Sequence, residues 1–379
     1  FEEVICLSIS VLSFLSIASH FLLDFLVSFF NPLGPYLIQK FGIEIKLFTT
    51  FLTLSSATAS LLQIFFGFWF DRVTSTRKYL IAMYFLEALG IAILGIATNF
   101  WIALISIFAI RIANSAFHPL GAAMAGEGTG KTVAIFSIAG TFGAALGPVF
   151  ISYYVSKFNS TQTLWIISIP FVIIAFIILR INLPQKTSKK NEKITLKEAS
   201  ILLPILLVVT IRSFLMSIVH TYTPIFVTNV LKFPITVSGT LITSGMIAGV
   251  AANYIGVLLM EKIGAKKQDL VAFVGMALSV FFLVFSKTLI AIFVSFIMFD
   301  FCGFLLMSAN VVQAQKIMPH RKAFASSVAM GFAWSIGDFI ASGYNSIFGN
   351  NVKLSLILVI PIAIVSSIYF GIIQKFDTK

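Results

Sequence analysis

Apolar residues run along this chain in twelve blocks, each bounded by a short polar break. The blocks cover roughly 4–37, 46–70, 77–97, 100–125, 131–156 and 161–182, then 200–230, 235–260, 268–286, 289–317, 322–349 and 352–374. About 20 apolar residues in helical form cross the hydrocarbon core of a bilayer, so each block predicts one membrane-spanning helix. The first block is too long for a signal peptide and lacks a small-residue cleavage site, so it reads as a mature helix. One long polar stretch interrupts the series, from Pro184 to Glu198, with Lys186, Lys189, Lys190, Lys193 and Lys197. It predicts a solvated linker, 184–199, between a six-helix half at 1–183 and a second at 200–379. The expected fold is an all-α integral membrane protein.

The polar breaks also set an orientation. The loops near 71–78, 126–131, 180–198, 261–269 and 316–322, with the C-terminal tail, hold 18 basic residues. The alternate loops hold 6, and Arg111 and Arg212 complete the 26. Basic residues concentrate on the cytoplasmic side of short loops. The linker and both termini are therefore expected in the cytoplasm, with the protein in the inner or plasma membrane.

Composition narrows the function classes. Hydrophobic residues make up 59% and charged residues 11%, where a soluble domain carries roughly 25% charged. The net charge of +12 sits in loops rather than on a basic helix, so nucleic acid is not an expected partner. Cys6 and Cys302 lie in apolar blocks without metal or disulfide spacing and read as small core residues. No glycine-rich phosphate loop, catalytic Ser/Lys pair or metal-binding His cluster stands out. The sequence thus points away from an enzyme and names no cofactor or metal.

What remains is a set of charges deep inside the apolar blocks. Asp24, Arg111, Arg212, Asp300 and Asp338 each lie where a bare charge costs on the order of 3 kcal/mol at a helix centre. Such residues persist when they face one another or a water-filled path, which predicts a protein that moves a solute or a proton. In the first block, His20 and Asp24 are spaced i, i+4 and share a face. A carboxylate and an imidazole in a membrane cavity can both exchange protons near neutral pH. Asp24 is the first candidate for proton coupling, with His20 tuning or relaying. In the fourth block, Arg111, Asn114, Ser115 and His118 form one polar stripe. Arg111 there can hold an anionic group, or neutralise Asp24. Arg212 and His220 in the seventh block and Asp300 in the tenth supply similar material. In the eleventh, Ser327, Gly331, Trp334, Asp338, Ser342 and Asn345 fall on one stripe, with Trp334 a candidate to stack on substrate. Asp300 and Asp338 are the further proton-coupling candidates. Glu87 in the third block stands apart and is expected to contact a neighbouring helix.

The two halves echo each other. Gly67-Phe-Trp-Phe-Asp71-Arg72, followed by Arg77-Lys78, closes the second block, and Glu261-Lys262-Ile-Gly264-Ala-Lys266-Lys267 closes the eighth. Pro32 and Pro224 stand 192 positions apart near the ends of the first and seventh. These residues resemble the loop signature of the major facilitator superfamily. Within it, His20-Phe-Leu-Leu-Asp24, Phe117-His118-Pro119 and the Gly140-to-Pro148 run are most similar to fosmidomycin-resistance-type efflux proteins. Gln313-Ala-Gln315 through Met318-Pro319 matches as well. Leu120 stands where those proteins usually carry Glu. The resemblance implies the major facilitator fold, with helices 1, 4, 7 and 10 around a cavity and 3, 6, 9 and 12 facing lipid. Gly67, Asp71, Arg72, Arg77, Glu261 and Lys262 are the candidate gating residues at the inner mouth.

The expected function is a proton-coupled exporter of small anionic or amphipathic compounds, working as a monomer by alternating access. Its partners are the substrate, protons and the bilayer. An uptake symporter for a sugar, organic acid or other metabolite is the alternative, with Asn114, Gln63, Asn310 and Gln313 as its modest support.

Overall fold

The computed structural model describes residues 11–70, 76–126, 130–180 and 196–373. Twelve helices are long and apolar enough to cross a membrane: α1 (Val11–Phe41), α2 (Ile45–Gly67), α3 (Arg77–Ile96), α4 (Phe100–Ala122), α5 (Ile135–Phe158) and α6 (Gln162–Arg180), then α7 (Leu203–Val230), α8 (Ile235–Ile263), α9 (Ala265–Phe285), α10 (Leu289–Ile317), α11 (Phe324–Phe348) and α12 (Val352–Ile373). Among the described residues there is no strand. Large apolar side chains such as Ile105, Phe176, Leu278, Phe282 and Val365 point outward. In water that shell would be untenable, and in lipid it is the matching surface.

The packing repeats between the halves. In the first, α1 lies on α4 and α5, α4 on α2 and α3, and α3 on α6. In the second, α7 lies on α10 and α11, α10 on α8 and α9, and α9 on α12. Adding six to each helix of the first set yields the second. The halves meet along two seams, α2 with α11 and α5 with α8, which the same operation exchanges.

Both seams are hydrogen-bonded near one end. Asn345 donates to the Thr49 carbonyl at 3.1 Å and to Thr53 Oγ1 at 3.2 Å, and Ser342 donates to the Thr50 carbonyl at 3.0 Å. Thr243 donates to the Ala145 carbonyl at 2.6 Å and accepts from the Val149 amide at 3.2 Å. These residues occupy the parts of α2, α8 and α11 farthest from the lysine-rich loops, and the middle of α5. The halves are therefore tied on the face opposite those loops.

Several helices depart from the regular spans that the pattern predicts. α1 breaks at Ser28 and Phe29 before continuing from Phe30. Pro32 is the reason, since it cannot donate to the carbonyl of Ser28 four residues back. α6 opens as a 3₁₀ turn, Gln162–Ser168, and becomes α-helical at Ile169, next to Pro170. α9 begins at Ala265, because the whole turn from α8 is Gly264 at φ +83, a backbone conformation that suits glycine. α11 carries a π-helical turn at Val328–Phe332, which inserts an extra residue and shifts the phase of its polar stripe. Ser327 is consequently exposed, while Ser335, Asp338, Ser342 and Asn345 are buried together. Leu196–Ser200, expected within the linker, is a short helix. Residues 181–195, Cys6, Asp71 and Arg72 lie outside the described residues.

Candidate functional site

Between the halves lies a cavity of about 430 Å³. Its lining comes from α1, α2, α4, α5, α7, α8, α10 and α11, and none from α3, α6, α9 or α12. Asp24, Arg111, Arg212, His220 and Asp338 all face it. Asp24, Arg111, Arg212 and Asp338 thus share one interior cavity, the arrangement that hydrocarbon demands of them, while Asp300 is buried outside its lining.

Asp24 is the best-connected of these groups. Its Oδ1 accepts from Asn114 Nδ2 at 2.8 Å and lies 3.4 Å from His118 Nε2. Its Oδ2 lies 3.2 Å from His20 Nε2. His118 Nε2 in turn donates to Asn114 Oδ1 at 2.9 Å. His20 Nδ1 is 2.7 Å from the Phe136 carbonyl oxygen. A carbonyl only accepts, so that network places a hydrogen on Nδ1. A neutral His20 then aims the lone pair of Nε2 at Asp24 Oδ2, and two lone pairs cannot face each other without a proton. One proton shared by the pair turns that contact into a hydrogen bond. The cluster also ties three helices: His20 and Asp24 belong to α1, Asn114 and His118 to α4, and Phe136 to α5. One ligand atom from each of His20, Asp24 and His118 falls within 4.8 Å of the others. That spacing suits a metal ion, but each atom is already engaged inside the cluster.

The guanidiniums find partners of a different kind. Arg111 interacts electrostatically with Asp338 of α11, on the opposite half. Its Nε has no hydrogen-bond partner, and its guanidinium lies 5.4 Å from the Phe30 ring centroid. Asp338 also bonds Ser56 of α2 and Ser217 of α7. Arg212 donates through Nε to the Gly303 carbonyl at 2.6 Å. Its guanidinium lies 5.6 Å from the Phe304 ring and 5.7 Å from the Trp334 ring. Asp300 is its electrostatic partner.

These contacts sharpen the readings of the sequence. The carboxylate that acts electrostatically on Arg111 is Asp338 rather than Asp24, which the imidazoles and Asn114 already surround. Trp334 lines the cavity, and the Arg212 guanidinium lies 5.7 Å from its ring centroid. Glu87 is fully buried among the helices, as a neighbour contact requires, although neither carboxylate oxygen has a hydrogen-bond partner. α9, which the resemblance places facing lipid, buries Asp269 near its start. Of the candidate gating residues, Gly67 lies beside Pro119 of α4 and Arg77 opens α3. Glu261 and Lys262 are exposed at the end of α8. Ser56, Ser217 and the Phe136 carbonyl were missed. The first two could have been sought as hydroxyls near charged positions, whereas a backbone carbonyl leaves no trace in a sequence.

Twelve spans in two equivalent halves, around a cavity between them that carries buried charges, define a multi-pass membrane transporter. The chain belongs to the Major Facilitator Superfamily, whose sequence pattern matches residues 16–342. It is 24% identical over 345 residues to the "Fosmidomycin resistance protein" of Escherichia coli (strain K12), covering 86% of this chain and 83% of that protein. Among solved structures it is similar to the nucleoside transporter NupG, with a TM-score of 0.77, 14% identity, and coverage of 97% of this chain and 100% of that one. The POT family transporter PepTSo matches with a TM-score of 0.75, 12% identity, and coverage of 95% and 97%. At those identities the likeness establishes the shared fold.

Proposed function

We propose that this transporter exports a small anionic or amphipathic compound in exchange for protons, and that Asp24 with His20 carries the coupling proton. The observation behind this reading is the contact between His20 Nε2 and Asp24 Oδ2, which a shared proton satisfies as a hydrogen bond. When that proton leaves, the two atoms repel at 3.2 Å. The strain falls on the junction of α1, α4 and α5, which reaches the α5–α8 seam. Substrate occupies the cavity, where Arg111 and Arg212 present guanidiniums suited to carboxylate, phosphate or phosphonate. Similarity to a fosmidomycin resistance protein and the Gly147-Pro148 step in α5, which resembles drug antiporters, support export. The two halves, 1–183 and 200–379, act as the rocking bodies and 184–199 as their tether. Positive charge in the alternate loops puts that tether and both termini in the cytoplasm. The hydrogen-bonded seams then close the outer side, and the cavity opens inward.

Liposomes containing the purified protein test the direction. A proton gradient is imposed, fosmidomycin and a panel of anionic metabolites are offered, and compound and proton movements are read together. Opposite movements are expected. Movements in the same direction would establish the uptake symporter instead.

The closed outer seam makes a separate prediction. A Cβ built at Gly349 would press on the Asn345 carbonyl oxygen and lie 2.7 Å from Lys46 Cα and 3.1 Å from Lys46 Cβ, closer than the roughly 3.8 Å of a disulfide, so a cross-link forms there with a small outward shift of the backbone. Gly349→Cys with Lys46→Cys is expected to cross-link under oxidation and stop transport, with recovery on reduction. Full transport by the cross-linked protein would contradict alternating access at this seam.

A further inference from the structure

The second half contains a histidine–aspartate pair of its own. His220 Nε2 on α7 lies 2.6 Å from Asp300 Oδ1 on α10. In the first half, the matching helices α1 and α4 are joined by Asp24 and His118. The operation relating the halves carries α1 to α7 and α4 to α10. The same two chemical groups therefore bridge equivalent helices, with their sides exchanged.

The surroundings of Asp300 leave it one exit. Its side chain is 0% exposed, while that of His220 is 15% exposed and lines the cavity. Asp300 Oδ2 has no hydrogen-bond partner. It points at Gly245 of α8, where a Cβ would fall on that oxygen. Phe296 packs against the His220 ring with centroids 5.4 Å apart and also borders Gly245. The charged or titratable groups facing Asp300 are His220 and Arg212, both from α7, while α8 presents only the glycine. A proton from the cavity can reach Asp300 by binding His220 and passing from Nε2 to Oδ1, and it leaves by the reverse step.

We infer that Asp300 is a second proton-exchange site, loaded from the cavity through His220, so that each half binds one coupling proton. Its part in transport rests on the proton-coupled reading above, whereas proton exchange at Asp300 does not. Infrared difference spectra of the protein in liposomes, recorded on a pH step and on transfer from water to deuterium oxide, read the exchange without any substrate. A carboxylic-acid band that vanishes in Asp300→Asn, distinct from the one that vanishes in Asp24→Asn, is expected. In His220→Phe the Asp300 band is expected to stop responding while the Asp24 band still does. His220→Gln keeps a hydrogen-bond donor but cannot relay, and is expected to match His220→Phe even where Asp300→Asn fails to fold. An Asp300 band that responds equally fast in both His220 variants would overturn the relay. No titrating band beyond that of Asp24 would overturn the site. With fosmidomycin as the transported probe, the proton ratio is expected to fall from two to one in His220→Gln. An unchanged ratio would refute two-proton coupling. If fosmidomycin is not moved, the spectra still decide whether Asp300 exchanges.

Discussion

Asp24→Asn is expected to reduce proton flux driven by compound to background while leaving the fold intact. The geometry explains both halves of that result. The carboxamide keeps an acceptor for Asn114 and His118, which now contact Oδ1 at 2.8 and 3.4 Å. Its NH₂ can donate to His20 Nε2, whose lone pair faces this position once Nδ1 is committed to the Phe136 carbonyl. The substitution therefore reproduces the protonated cluster and fixes it there. A hydrogen bond to a charged group contributes roughly 1.5–3 kcal/mol, so removing the side chain altogether is a harsher change. Asp24→Ala is expected to lower thermal stability in detergent, and Asp24→Asn is not. Equal destabilisation by both would point to a purely structural cluster.

Gly143→Val is expected to cost the most stability of any single change in α5. Gly140, Gly143 and Gly147 lie along one face of α5, against α1. A Cβ at Gly143 would fall on the Phe21 carbonyl, one at Gly147 on Ser28 Oγ and the Phe25 carbonyl, and one at Gly140 on the His20 ring. Backbone cannot rotate away as a side chain does, so the helices must separate. Overpacking of this kind costs about 1–3 kcal/mol and sometimes more. Small residues at such crossings are what permit close approach in membranes. Gly343→Ala is the control, since nothing lies within 4 Å of a Cβ there. Melting of the purified protein is expected to drop for Gly143→Val and stay unchanged for Gly343→Ala. A normal melt for Gly143→Val would mean that α1 and α5 have slack.

The sequence carried the twelve spans, the duplication and the identity of the intramembrane charges. Each of those is a local or periodic property, and lipid makes it sharp: a polar residue among apolar ones must turn inward. The i, i+4 spacing placed His20 and Asp24 on one face correctly, and the Arg111, Asn114, His118 spacing did the same for α4. Which faces would meet was not legible. The contacts of Asp24 with Asn114 and His118 span about a quarter of the chain, and nothing in either helix specifies the other. Arg111 showed the same limit, because its partner Asp338 lies across the cavity on the other half. The polar stripe of α11 failed for a different reason. A regular helical period was applied through a π turn, and one extra residue moved Ser327 outward. The His220–Asp300 pair lay hidden because the offset between the halves aligns His20 with Arg212, whereas the pairs match by helix and not by position.

The most direct test separates coupling from binding. Liposomes loaded with unlabelled fosmidomycin, or whichever panel compound moves, are given a trace of labelled compound at equal pH on both sides, with wild type and Asp24→Asn compared. Exchange at equal pH needs no net proton movement. Persistent exchange in Asp24→Asn, alongside the loss of movement driven by a pH gradient, is the result expected if Asp24 carries the proton. Exchange and gradient-driven movement lost together, or retained together, would contradict that role.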